Sequence, residues 1–261
     1  MMVLNDIIKI IEEFAPKNLK EDFDNVGLMV GDKTKEVKRV LLALDCTKEV
    51  IEEAKENNID LIITHHPLIF RKPSSITTDT LQGKKIIELI KHDIALYSAH
   101  TNLDSVENGM NHTIAKSIGL EESTLLEVNN KDNKAGIGRI GNIKNPMKVE
   151  EYAKSVMEVL KINNARLVKG NDLVKKVAVI NGSGQDFISR AVNKGADTIV
   201  TGDTTYHFAS DYKEMGINII DIGHFGSEWM IFLNVMNTIK IKLKYIEIIE
   251  SKSCKDPYIY I

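Results

Sequence analysis

A chain of 261 residues that is 43% hydrophobic and 27% charged is long enough for two small domains or one large one, with an ordinary globular composition. A net charge of -3 gives no overall attraction to nucleic acid or to an anionic membrane, and no apolar stretch approaches the roughly 20 residues of a membrane span. The N-terminus does not read as a signal peptide, and Cys46 and Cys254 lie far apart without CxxC spacing; this points to the reducing cytoplasm and excludes a cysteine-based zinc module, leaving nitrogen and oxygen to hold any metal.

Leu4, Ile7, Ile8, Ile11 and Phe14 recur at helical spacing and predict an opening amphipathic helix that stops near Pro16. Val37 to Leu44 reads as a buried strand, Thr47 caps a helix through about Asn57, and Leu61 to Thr64 is a second short strand. A helix from about Leu81 to Lys91, a strand from Ile94 to Ala99 and a helix from about Asn108 to Ser117 follow. Between about Glu121 and Pro146 the pattern loosens into polar, glycine-bearing sequence, which predicts the internal boundary. Beyond it come a helix from about Val149 to Leu160, strands Val177 to Ile180, Thr198 to Thr201 and Ile217 to Ile222, helices after Gly184 and Gly226, and a final strand within Leu243 to Ile249. Strands alternating with helices predict an α/β fold with mainly parallel sheet covered on both faces. The expected lobes are residues 1–125 with about 240–261, and residues 126–239.

The second half repeats the first. Placing Val37-Lys38-Arg39-Val40 over Val174-Lys175-Lys176-Val177 without a gap brings Asp60 onto Asp197, Ile62 onto Ile199 and Thr64 onto Thr201. Further on, His100 and Asp104 overlie His224 and Glu228, a repeated pair that shared apolar residues alone do not explain. His65 and His66, by contrast, overlie Gly202 and Asp203, so a site built on both copies is asymmetric.

In an open parallel sheet, ligands gather beyond the carboxyl ends of the strands, and four of the seven histidines fall at such ends. His65 and His66 close the apolar run Leu61-Ile-Ile-Thr64, where a pair of imidazoles has little use for packing and reads as a metal site. His224 and Glu228 stand at i and i+4 and can present nitrogen and oxygen to one ion, with Asp104 a second carboxylate. So many donors overfill a single closed tetrahedral site and suit two ions with open positions. His100 reads as a residue orienting a ligand or facing substrate, or as a ligand itself; with Asp24 near the mouth of the site, it is a candidate for proton transfer. His207 opens a helix and reads equally as a helix-start residue or a site residue, while His92 and His112 read as surface or helix positions and Cys46 as a small buried hydrophobe. Asn181-Gly-Ser-Gly184 joins strand to helix, where backbone N–H groups can receive an anion or a tight turn simply needs glycine.

Taken in order, Asp24-Asn-Val-Gly-Leu28, Thr64-His-His-Pro67, His100-Thr-Asn-Leu-Asp104, Asn181-Gly-Ser-Gly184, Thr201-Gly-Asp203 and His224-x3-Glu228 resemble the GTP cyclohydrolase 1 type 2 homologs, also called NIF-three-like proteins. The resemblance runs from about residue 4 to about residue 250. It implies two similar lobes facing each other across a cleft that holds two divalent metal ions, and six subunits assembled into a toroidal ring. It implies His65, His66, Asp104, His224 and Glu228 as the metal ligands. Longer relatives carry a domain inserted between the lobes, for which the loose stretch here leaves no room. The expected ions are drawn from zinc, manganese, iron, cobalt and nickel. The expected function is metal-dependent hydrolysis of a small polar or nucleotide-like substrate by a cytoplasmic homohexamer. The alternative is a non-catalytic metal-binding regulatory or scaffold ring; a DNA-binding ring would need a basic channel that the net charge does not show.

Overall fold

The computed structural model describes residues 2–261. It divides into two compact units: residues up to Leu103 with Val235–Lys255, and Asp104–Asn234 with Asp256–Ile261. Among the described residues, no helix is long and apolar enough to cross a membrane.

The first unit is built on a five-stranded sheet in the order Glu247–Glu250, Arg39–Ala43, Leu61–Thr64, Ala95–Ser98, Gly27–Val30. The first four strands are parallel and Gly27–Val30 runs antiparallel at the edge. Leu61, Ile62, Ile63 and Thr64 are all fully buried, as expected where helices cover both faces of a parallel sheet. The helix Leu4–Phe14 buries Leu4, Ile7, Ile8 and Ile11 on one face. Helix Lys48–Glu56 starts where Thr47 Oγ1 accepts from Val50 N at 3.2 Å, and Leu81–Lys91 where Thr80 Oγ1 accepts from Gly83 N at 3.0 Å. Caps of this kind are each worth about 1 kcal/mol. Because Leu61–Thr64 and Ala95–Ser98 are parallel neighbours in register, the residues after them, His65 with His66 and His100, emerge side by side.

The second unit carries a six-stranded sheet in the order Leu120–Val128, Gly136–Lys148, Leu173–Ser183, Thr198–Gly202, Asn218–Asp221, Arg166–Val168. The strands Leu173–Ser183, Thr198–Gly202 and Asn218–Asp221 are parallel, and the outer pairings are antiparallel. The stretch expected to be a loose boundary is therefore an antiparallel hairpin. Its glycines belong to strands: a Cβ on Gly136 would lie 1.9 Å from Glu127 O, so glycine marks close backbone approach. The division accordingly falls between Leu103 and Asp104 instead of near residue 125, and the segment Asp256–Ile261 joins the second unit instead of the first. Asp104 sits with the second unit, where Asn181 Nδ2 donates to its carboxylate and Asn111 Nδ2 to its main-chain oxygen.

Each unit contains the same device at the start of its central strand. Asp60 Oδ2 accepts from Lys38 N and Arg39 N at 2.7 and 2.9 Å, while Asp197 Oδ2 accepts from Lys175 N and Lys176 N at 3.1 and 2.9 Å. The next ladder step repeats as well, with Ala95 N donating to Asp60 O and Asn218 N to Asp197 O, both at 2.9 Å. The gap-free register of the two halves thus corresponds to equivalent strands in two sheets.

Candidate metal centre

In the first unit, His65, His66 and His100 form one cluster, each offering a ring nitrogen within 4.8 Å of the others. Ring centroids are separated by 5.1 Å for His65 with His66 and with His100, and by 5.6 Å for His66 with His100. His65 is fully buried. Its Nδ1 is 2.8 Å from Ala99 O, and a carbonyl only accepts, so Nδ1 carries the hydrogen and Nε2 the lone pair. His66 Nδ1 lies 3.1 Å from Asp45 Oδ1, and His100 Nδ1 lies 2.9 Å from Asp24 Oδ1.

Asp24 is itself tightly held. Its carboxylate accepts from Thr101 Oγ1 at 2.5 Å and from Thr101 N at 3.2 Å. Burial pushes its pKa up, but the hydrogen bond and charge of His100 and the Thr101 bonds outweigh burial and bring it down to about 2. Asp24 therefore stays ionised and fixes the His100 ring.

In the second unit, His224 Nδ1 is 2.7 Å from Asp203 Oδ2, and His224 Nε2 is 3.3 Å from Glu228 Oε2. The i, i+4 spacing at the head of helix His224–Lys240 brings these two side chains together. Asn181 Nδ2 donates to Asp104 Oδ1 at 2.8 Å and lies 3.5 Å from Glu228 Oε1, so two carboxylates share one neutral amide. Such an arrangement favours a cation. Gly182 gives Glu228 its room: at φ +61° it is left-handed, and a Cβ there would lie 2.5 Å from Glu228 Oε1. The turn is pinned by Gly182 N donating to Ser227 Oγ at 2.8 Å.

Every one of the four strand-end imidazoles is thus held through Nδ1 by an oxygen acceptor, the arrangement that metal-ligating histidines use to fix ring orientation and tautomer. Nitrogen and carboxylate donors of this kind fit a divalent transition metal.

The family model for Duf34/NIF3 (NGG1p interacting factor 3) matches residues 2–257. The chain belongs to this family. It is 55% identical to a GTP cyclohydrolase 1 type 2 homolog from Clostridium perfringens over 262 aligned residues covering 100% of both chains. The crystal structure of Staphylococcus aureus protein SA1388 is similar with a TM-score of 0.89 at 32% identity, covering 100% of this chain and 99% of that one. A Bacillus cereus protein related to NIF3 gives a TM-score of 0.88 at 28% identity, with coverage of 100% and 99%.

In this Duf34/NIF3 chain the remaining expected residues take plainer places. His207 is exposed in helix Tyr206–Glu214, edge-on to Tyr206 at 5.5 Å. His92 ends a helix with Nδ1 2.9 Å from Glu88 O. His112 is half-buried, and Cys46 is buried, which pushes its thiol up to about 12 and leaves it unreactive. Asn25 donates through Nδ2 to Ile69 O, tying the Asp24 loop to the loop after His66. Three residues escaped the sequence reading as partners of the site: Asp45, Asp203 as a brace, and the side chain of Asn181. For the Asp45 brace the only signal is an aspartate just past a strand end, and for Asn181 the sequence suggested a backbone anion turn instead of a side-chain amide.

Proposed function

We propose that the chain is a metal-dependent hydrolase holding two divalent ions on His65, His66, Asp104, His224 and Glu228 and acting on a small polar, nucleotide-like substrate. The observation that carries this reading is the bracing of four imidazoles through Nδ1. A ring held through Nδ1 leaves Nε2 as the atom that meets an ion, and its lone pair is free there once the ring is neutral. Zinc, manganese, iron, cobalt and nickel all suit the donor set. Bound ions of this class supply Lewis-acid polarisation of the bond under attack.

The residues of the chain do the rest. His100, oriented by Asp24 and Thr101, takes up a proton at Nε2 beside His65 and His66. The Asn181 amide holds the Asp104 and Glu228 carboxylates in place. A cytoplasmic ring of six copies belongs to the same reading, and the name of the Clostridium perfringens relative is in keeping with a nucleotide-like substrate.

Elemental analysis of protein from its own host, combined with a turnover screen of nucleotides, phosphoesters and cyclic amides, tests the proposal. His65→Ala and Glu228→Ala should lose metal and turnover together. Turnover that survives in metal-free protein would overturn the hydrolase reading.

A further inference from the structure

Beside His224 the second unit opens a cleft of about 810 Å³, a size that takes a small organic ligand. Its wall includes Arg166, Phe225, Tyr258 and Tyr260 alongside His224. Its carboxylates already have partners. Asp221 accepts from Thr204 N at 2.9 Å, Thr204 Oγ1 at 2.5 Å, Gly223 N at 3.0 Å and Arg166 Nη2. Asp203 is engaged by His224, and Asp256 Oδ1 accepts from Tyr258 N at 2.9 Å.

Arg166 is different. Its bonds to Asp221 and Thr204 all run through Nη2, while Nη1 and Nε donate to no other described residue, and its side chain is 67% exposed. Tyr258 and Tyr260 are 70% and 56% exposed, with aromatic faces available. Burial and then the charges of Asp256 and Asp221 hold the Tyr260 phenol above its ordinary range, consistent with a ring close to the Arg166–Asp221 pair. The cleft therefore has unspent donors in a planar fork together with aromatic faces.

We propose that this cleft binds the organic part of the substrate, a flat heteroaromatic ring bearing hydrogen-bond acceptors, with Arg166 reading the acceptors and Tyr258 and Tyr260 covering the ring. A guanidinium fork matches paired acceptors, and stacking on tyrosine selects flatness. The inference rests on the metal-site reading only in taking His224, which shares the wall, as the reacting end.

Isothermal calorimetry on the full-length, metal-loaded protein tests it with guanosine monophosphate, guanosine and ribose 5-phosphate as probes. The two ring-bearing probes should bind, and ribose 5-phosphate should bind at least about tenfold more weakly. Tyr258→Ala and Tyr260→Ala should each weaken the ring-bearing probes about five- to tenfold, with metal content and melting temperature unchanged. Arg166→Lys, which keeps the charge but loses the fork, should weaken them similarly. Tyr258, being exposed, provides a variant that folds even if replacing Arg166 unsettles Asp221. Equal binding of ribose 5-phosphate, or tyrosine variants that bind like the parent, would overturn the proposal. So would a change of oligomeric state in those variants without a change in binding, since the segment would then be a contact with another copy. Loss of metal from the parent protein would count against the metal reading and leave this one standing.

Discussion

Asp203 Oδ2 stands 2.7 Å from His224 Nδ1, and Asp203 holds that position from a left-handed backbone, with φ at 57°. A residue other than glycine pays about 1 kcal/mol for this conformation, so the brace is kept at a cost. Asp203→Asn tolerates the same backbone but loses the charge that makes the ring basic. Metal affinity should fall about 10- to 100-fold, read by competition with a chromogenic chelator. An unchanged affinity would show that the brace does not tune the ligand.

Gly182→Ala should be worse than an ordinary glycine replacement. A Cβ there meets Glu228 Oε1 at 2.5 Å and His224 Nε2 at 3.4 Å, whereas one on Gly119 meets nothing within 4 Å, and both residues have positive φ. Gly119→Ala therefore measures backbone strain alone, about 1 kcal/mol. Gly182→Ala should lower stability further and reduce bound metal, whereas equal melting shifts with equal metal content would refute the steric argument.

The two equivalent aspartates provide a matched pair. Asp60→Ala and Asp197→Ala each remove the acceptor for two backbone N–H groups. Each should cost about 1–2 kcal/mol in chemical denaturation, with Asp197→Ala the larger because Asp197 Oδ1 also accepts from Thr198 Oγ1 at 2.8 Å. A large cost at one site and none at the other would show that the repeated geometry is not repeated energetics.

Glu53 ties down the segment after the last strand. It accepts from Ser251 Oγ at 2.5 Å, Lys252 N at 2.8 Å and Ser253 N at 3.0 Å. Burial works to raise its pKa, but these hydrogen bonds prevail and hold it below the usual carboxylate range. The folded value being depressed, the contribution is full above the unfolded value of about 4.3 and is lost as pH falls through the folded value. Glu53→Gln should therefore cost about 1 kcal/mol at pH about 7, with a gap to the parent that closes in strong acid. A gap independent of pH would mean that Glu53 acts through packing instead of charge.

The parallel strands and their helices are legible in the sequence because apolar runs such as Leu61-Ile-Ile mark strands buried on both faces. The hairpin Leu120–Val128 with Gly136–Lys148 is not, because polar residues and glycines at a sheet edge look like a loop until the pairing is known. At the site, the imidazoles and carboxylates are legible from their positions at strand ends. Their supports are harder to read: an aspartate after a strand also serves turns and caps, so Asp45 reveals nothing by its type. The partner of His65 is a main-chain oxygen, for which a sequence carries no letter.

That last contact makes the four rings unequal before mutation. His66, His100 and His224 each face one aspartate through Nδ1, and a single codon change can remove that acceptor. His65 leans on Ala99 O, which every amino acid supplies, so replacing its neighbour's side chain leaves the brace standing. Variation can therefore retune three of the rings one at a time, while the fourth is tied to the persistence of the sheet.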